Sequence, residues 1–206
     1  MINFIDFILE SSFHPQKGES EVVHHVTTHD VDKFHPLTHF GTAQASRHVA
    51  KIRVLKDDDG SKKSKLQHHA VRIKLGKVAE LHDISNHDPR RVSDALQKAG
   101  HITFPQSLEH TRQHIKIREH HEAKLKKKTE KEGWKPENMV ACNHNIAHDM
   151  NKHIAKTLRK NVIHTIKYEN THEDPGSTSY MITHHSQVRH LRKSGSGVNI
   201  NLDRKS

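Results

Sequence analysis

Tyr168-Glu169-Asn170-Thr171-His172-Glu173-Asp174-Pro175-Gly176-Ser177-Thr178-Ser179-Tyr180-Met181-Ile182 reads as the end of one strand, an acidic turn and a second strand. Asp174-Pro175-Gly176 is a strong turn signal, because proline presets one backbone angle and glycine accepts the left-handed one that follows. Upstream, residues 162–168 carry the β-branched and aromatic density of a strand, and 179–183 carry it again downstream. Residues 21–28, at the other end of the chain, have the same character and run into a polar turn around Asp30. Strands therefore lie at both ends with helical sequence between them, the pattern of an α+β domain.

The middle of the chain supplies the helices. Residues 42–50 form a short helix with Thr42 as a plausible N-cap. Residues 51–55 and 70–75 both alternate apolar with basic, and the solvated run 57–64 between them makes a hairpin the simplest arrangement. Asp88-Pro89 opens a helix to Ala99, with Gly100 as its stop. Residues 107–131 are a polar helix with a narrow apolar face of Leu108, Ile115, Ile117 and Leu125, and Lys126-Lys127-Lys128 forms its solvated end. After the break at Gly133-Trp134-Lys135-Pro136, residues 143–160 place Ile146, Met150, Ile154 and Leu158 at spacing four, a core-facing stripe.

A chain of 206 residues suits one domain. We read 1–193 as that domain, with 101–159 as a helical insert and 194–206 as a flexible tail. Leu, Ile, Val and Phe together make up about a fifth of the chain, enough for a thin core. The net charge of +10, with 24 histidines that would add to it as pH falls from about 7 to 5, favours polyanionic partners. Aromatic residues at 4% weigh against single-strand nucleic-acid binding, which needs stacking faces. The single cysteine, Cys142, permits no internal disulfide and reads as a small, partly buried residue of a reducing compartment. No run spans a membrane, and residues 1–10, with two acids and no basic head, read as a short amphipathic helix and not as a secretory signal.

Among the histidines, four pairs stand at spacing four (His25/His29, His35/His39, His110/His114, His144/His148) and four are adjacent. Chance placement at this frequency gives about three of each, so the spacings carry no metal signal. None of the four pairs encloses the glutamate of a zinc-protease helix, and we expect no dedicated metal site.

The order of the local words points further. His25-Val26-Thr27 at the end of the first strand resembles the His-x-Thr element of the ADP-ribosyltransferase fold. The segment from Phe34-His35-Pro36 through His39-Phe40-Gly41-Thr42-Ala43 is similar to the second block of bacterial and phage members. Ala70–Leu75 leading to Leu81-His82-Asp83 resembles the next strand and its acidic end. Tyr168 to Ile182, followed by Gln187-Val188-Arg189, resembles the tyrosine-x-asparagine-x-x-glutamate segment and the terminal strand. The resemblance covers residues 21–100 and 160–192.

It implies a split antiparallel sheet, NAD as cofactor and co-substrate, and transfer of ADP-ribose to an acceptor that the sequence does not name, as in toxins and effectors. Under it His25 and Thr27 hold NAD, with Phe40, Gly41, Thr42 and Tyr168 completing the cofactor site and Phe40 or Tyr168 forming the nicotinamide wall. Glu173, with His25 and Tyr168, is the catalytic group. Glu169 is the second choice, because many members carry the glutamate where this chain has Ser179. By charge and placement Arg47, Arg53 and Arg72 are candidates for the phosphates. A cytoplasmic protein, or one delivered into another cell without an ordinary signal, fits these features. The alternative is a non-catalytic, basic nucleic-acid-binding protein that uses the 107–131 and 143–160 helices.

Overall fold

A computed structural model describes residues 20–27, 31, 33–56, 66–84, 88–171 and 173–194. The expected N-terminal helix, the acidic run 57–64 and the tail beyond Ser194 lie outside these residues. In chain order the elements are β1 (Ser20–Thr27), β2 (His39–Phe40), α1 (Ala43–Lys56), β3 (Gln67–Lys74), β4 (Val78–Asp83), α2 (Pro89–Lys98), α3 (Phe104–Glu132), α4 (Pro136–Lys160), β5 (Thr165–Asn170), β6 (Ser177–Ile182) and β7 (Val188–Ser194), with one 3-10 turn at His185–Gln187. The architecture is α+β: four α-helices and two sheets among the described residues.

One sheet has the order β1-β3-β7 and the other β2-β6-β5-β4. The first is antiparallel throughout, so strands from the two ends of the chain meet across the central β3. The second departs from the antiparallel expectation, because β4 and β5 run parallel, Val78 opposite Thr165 and Leu81 opposite Tyr168. Parallel neighbours cannot be joined by a tight turn. The crossover between them is made by α2, α3 and α4, which carry the chain from the end of β4 back to the start of β5, and residues 101–159 form its larger part.

Two local readings are corrected. Residues 51–55 are not a hairpin strand but the continuation of α1, and β3 pairs instead with β1 and β7. Five residues that alternate apolar with basic also satisfy a helix, and no breaker interrupts the one that Thr42 starts. Its hydroxyl accepts the Ala45 N–H at 3.0 Å. The strand expected from residue 162 starts at Thr165. Val162 has φ 61°, its N–H bonds to the Arg159 carbonyl at 2.9 Å and the Ile163 N–H to the Leu158 carbonyl at 2.8 Å. This is a Schellman end to α4, with valine where glycine usually stands.

Local signals hold elsewhere. Asp88 caps α2, its carboxylate accepting the Arg90 N–H at 2.9 Å, and Pro89 enters the first turn. Thr103 and Gln106 form a reciprocal capping box on α3. Met150, Ile154 and Leu158 on α4 are fully buried against Leu81, Leu96 and Ile166, closing a core between the helices and the second sheet. Burying each such side chain is worth about 1.5–3 kcal/mol. A smaller core of Val23, Phe34, Phe40, Val71, Ile73, Tyr180 and Ile182 joins residues of both sheets. No helix among the described residues is long and apolar enough to cross a membrane.

Candidate functional site

β1 lies at an edge of the first sheet and β2 at an edge of the second. The two edges are tied by one bridge: the His24 N–H donates to the Gly41 carbonyl at 2.9 Å and the Gly41 N–H to the His24 carbonyl at 3.1 Å. Glycine suits this crossing, since an added Cβ would stand 3.2 Å from the Ala45 Cβ and 3.3 Å from the Ser179 Oγ. Beside the bridge opens a cavity of about 750 Å³. Its walls come from β1, the segment 31–41, the start of α1, β5, the turn after it, and His144 of α4.

The structure brings His25, Thr27, Phe40, Gly41, Tyr168 and Glu173 to this one cavity. His25 and Tyr168 approach it from opposite sheets, and a single residue joins them. The His25 Nδ1 lies 2.8 Å from the His39 carbonyl oxygen, while the His39 imidazole Nδ1 lies 2.7 Å from the Tyr168 hydroxyl. A carbonyl only accepts, so His25 carries its proton on Nδ1. Burial pushes the Tyr168 phenol well above its ordinary range, and it stays protonated. Phe40 is 1% exposed and packs edge-on to Phe34, with ring centroids 5.0 Å apart, and behind His25. It therefore backs the histidine more than it offers an open face.

Glu173 reaches the cavity from a turn built by side chains. The Asn170 carboxamide oxygen accepts the Glu173 N–H at 2.9 Å and the Asp174 N–H at 3.4 Å, and its amide donates to the Ser179 Oγ at 3.2 Å. Thr42 lies outside the lining, yet its hydroxyl donates to the Asp174 carboxylate and holds the far side of the same turn. Ser179, 2% exposed, serves this scaffold as the acceptor of the Asn170 amide. Glu169 points outward on β5 and is absent from the lining. Arg47 is exposed on α1 next to Ser46, which does line the cavity. Arg72 is exposed on β3 away from the lining, and nothing is described of the Arg53 side chain.

No family model matches the chain, and neither the curated proteins nor the solved structures hold a significant match. The site stands on its own geometry.

Sequence reasoning passed over His39 as a functional residue, and also His24, Lys33, His35 and His144, which border the cavity. Adjacency to His25 and to the Phe40-Gly41 words could have signalled His24 and His39. Nothing local could have signalled His144, which arrives on the crossover helix. His148, one turn further along α4, meets the His35 Nδ1 at 3.1 Å and ties that helix to the cavity segment. Among the described residues no group of three or more His, Cys, Asp or Glu side chains could hold a metal ion.

Proposed function

We propose that the chain is an NAD-dependent mono-ADP-ribosyltransferase, built on the ADP-ribosyltransferase-like split of two sheets. The observation that carries this reading is the meeting of His25 and Glu173, an imidazole from near one end of the chain and a carboxylate from near the other, in one cavity with Tyr168 between the sheets. A volume of about 750 Å³ falls within the range of about 300–1,000 Å³ typical of small-molecule sites. The lining mixes aromatic faces with ring and hydroxyl donors, as a dinucleotide requires.

His25 and Thr27 bind a ribose through its hydroxyls, and Tyr168 provides the wall for the nicotinamide ring. The bond that breaks joins the ribose C1′ to the nicotinamide nitrogen, which leaves with the electron pair. Positive charge then builds on the ribose, and the Glu173 carboxylate stabilises it. An acceptor O–H, N–H or S–H forms the new bond to C1′, and its proton passes to Glu173. The acceptor class is open.

The rival reading, a basic nucleic-acid binder on the two long helices, has less support. The cavity that gathers the candidate residues takes a single lining residue, His144, from those two helices.

The test is release of nicotinamide from NAD by the purified protein. Glu173→Gln should reduce release to background with the thermal midpoint nearly unchanged. No release by the parent chain would overturn the proposal, and full release by the variant would remove Glu173 from the mechanism.

A further inference from the structure

We infer that the free end of the α3–α4 hairpin docks on the surface of an anionic phospholipid bilayer, with Trp134 entering the interface and the lysines around it meeting the headgroup charge. The two helices do not serve the core along their whole length. On α3 the one buried residue is His110. Beyond it Ile117, His121, Leu125 and Thr129 are half-buried at spacing four, and every other residue from Arg118 to Glu132 is exposed. Such a stripe packs on a neighbouring helix, here α4, where His121 reaches the Asp149 carboxylate at 3.0 Å. On α4 the first buried residue is Cys142. Residues 122–141 therefore form a hairpin end that belongs to neither core. No residue of this end lines the cavity, so the contact is independent of the transferase reading.

Its apex is apolar. The turn between the helices is only Gly133-Trp134-Lys135, and Gly133, at φ 78°, ends α3. Trp134 is 65% exposed there, and Met139 and Val140 are exposed as well. Met139 and Val140 stand three and four residues after Pro136, so these three share one side of the first turns of α4. Single exposed apolar residues are ordinary, but a group of them at the end of a hairpin marks an interaction surface. Tryptophan suits the level of lipid headgroups, where its ring is in apolar surroundings and its N–H stays wet.

The charge around the apex fits the same surface. Lys124, Lys127, Lys128 and Lys131 occupy positions i, i+3, i+4 and i+7 of α3, one side of that helix, and Lys135 follows Trp134 directly. All five are exposed, and among the described residues none of them pairs with a carboxylate. From Lys124 to Glu137 six lysines stand against three glutamates. Lys127, Lys128, Lys131 and Lys135 lie within about 10 Å of Trp134 along the chain axis, one Debye length at moderate salt. Each lysine near an anionic leaflet is worth about fivefold in partitioning. Nucleic acid would use the lysines but not the apolar apex: phosphates call for charge alone, and unstacked bases call for several stacking rings where this end has one. Apolar insertion and basic attraction together are the two signals that stable attachment to a bilayer surface takes.

Trp134 is the sole tryptophan of the chain, so its emission reports the contact directly. The full chain is titrated at low and high salt with vesicles of phosphatidylcholine alone, and of phosphatidylcholine with about one-third phosphatidylserine, following emission and co-sedimentation. We expect blue-shifted emission and protection from aqueous iodide on the anionic vesicles only, lost at high salt. Partitioning should fall by about a hundredfold when Lys127→Gln, Lys128→Gln and Lys131→Gln are combined, and by about tenfold in Trp134→Ala. Both variants should keep the parent's thermal midpoint, because all four side chains are exposed. Absence of binding to the anionic vesicles would overturn the assignment. So would binding that leaves the emission unshifted, or that either variant retains in full, because the rest of this basic chain would then carry it. Tighter association with a duplex oligonucleotide, weakened by the same lysine changes, would assign the hairpin end to nucleic acid instead.

Discussion

His39 and Tyr168, 129 positions apart in the chain, meet at 2.7 Å between imidazole Nδ1 and phenol oxygen. The pair ties the edge strand of the second sheet to its neighbour two strands away, and the His39 carbonyl passes the restraint on to His25. Tyr168 thus has two jobs that a variant pair can separate. Tyr168→Phe keeps the ring and loses the tie, so stability should fall by about 0.5–1.5 kcal/mol, the worth of one hydrogen bond to a half-buried imidazole. Nicotinamide release should change little. Tyr168→Ala also removes the wall, and release should fall by about tenfold or more, the scale of one aromatic stacking contact. Denaturant midpoints and release rates on the two variants decide; equal loss of release in both would show that the hydroxyl, not the ring, matters.

Asn170 lines the cavity beside Glu173 and sets where that residue sits, by accepting two successive backbone N–H groups. Asn170→Ala leaves both donors and Ser179 without this partner in a site that is 4% exposed. We expect kcat for nicotinamide release to drop about tenfold to a hundredfold while KM for NAD moves less, since the misplaced carboxylate matters mainly when charge builds on the ribose. A rise in KM with kcat intact would place Asn170 in binding instead.

Much of this was legible because it is local. The Asp88-Pro89 start, the spacing-four stripe of α4 and the Asp174-Pro175-Gly176 turn each depend on a few neighbouring residues, and each appears where its residues stand. The α+β class followed from the distribution of strands. The extension of α1 through Lys56 was not legible, because an apolar-basic alternation of five residues fits either period. The parallel β4–β5 pair and the His24–His68 stack were hidden for another reason: both depend on register between strands far apart in sequence. The grouping of His25, Tyr168 and Glu173 could be read only from the order of short words along the chain, since no periodicity brings them together.

His110 gives a pH prediction. It is 2% exposed, bonded to the Ser93 hydroxyl at 2.7 Å and the Thr157 hydroxyl at 2.9 Å, and burial, with His153 beside it, lowers its pKa to about 4. An unfolded histidine binds its proton near 6.5. Between these values the unfolded chain holds the extra proton, so stability present above about pH 6.5 is lost as pH falls toward 4. The slope from this residue is at most about 1.4 kcal/mol per pH unit. His184, also lowered to about 4, adds in the same direction. Urea unfolding at pH 7.5, 6.5, 5.5 and 4.5 should show the decline, and His110→Gln should flatten it by about one proton; an unchanged slope in the variant would show that His110 is not a source of it.

Val162 offers a gain in stability that needs no new contact. Its φ of 61° at the end of α4 crowds a β-branched side chain against its own backbone, and that side chain is 58% exposed, so little packing is lost by removing it. The left-handed backbone is what the two capping bonds to Arg159 and Leu158 require, and glycine adopts it without strain. Relief of about 1–2 kcal/mol of strain outweighs the extra freedom glycine gives the unfolded chain, roughly 0.5–1 kcal/mol. Val162→Gly should therefore raise the urea midpoint by a few tenths to about 1 kcal/mol of stability, and Val162→Asn, which tolerates the same backbone with less unfolded-state entropy, by a similar amount. Val162→Ala separates the causes. It keeps the positive φ while removing the branch, so it should recover only part of the gain; if alanine matched glycine, crowding by the branch and not the backbone conformation would be the source of the strain.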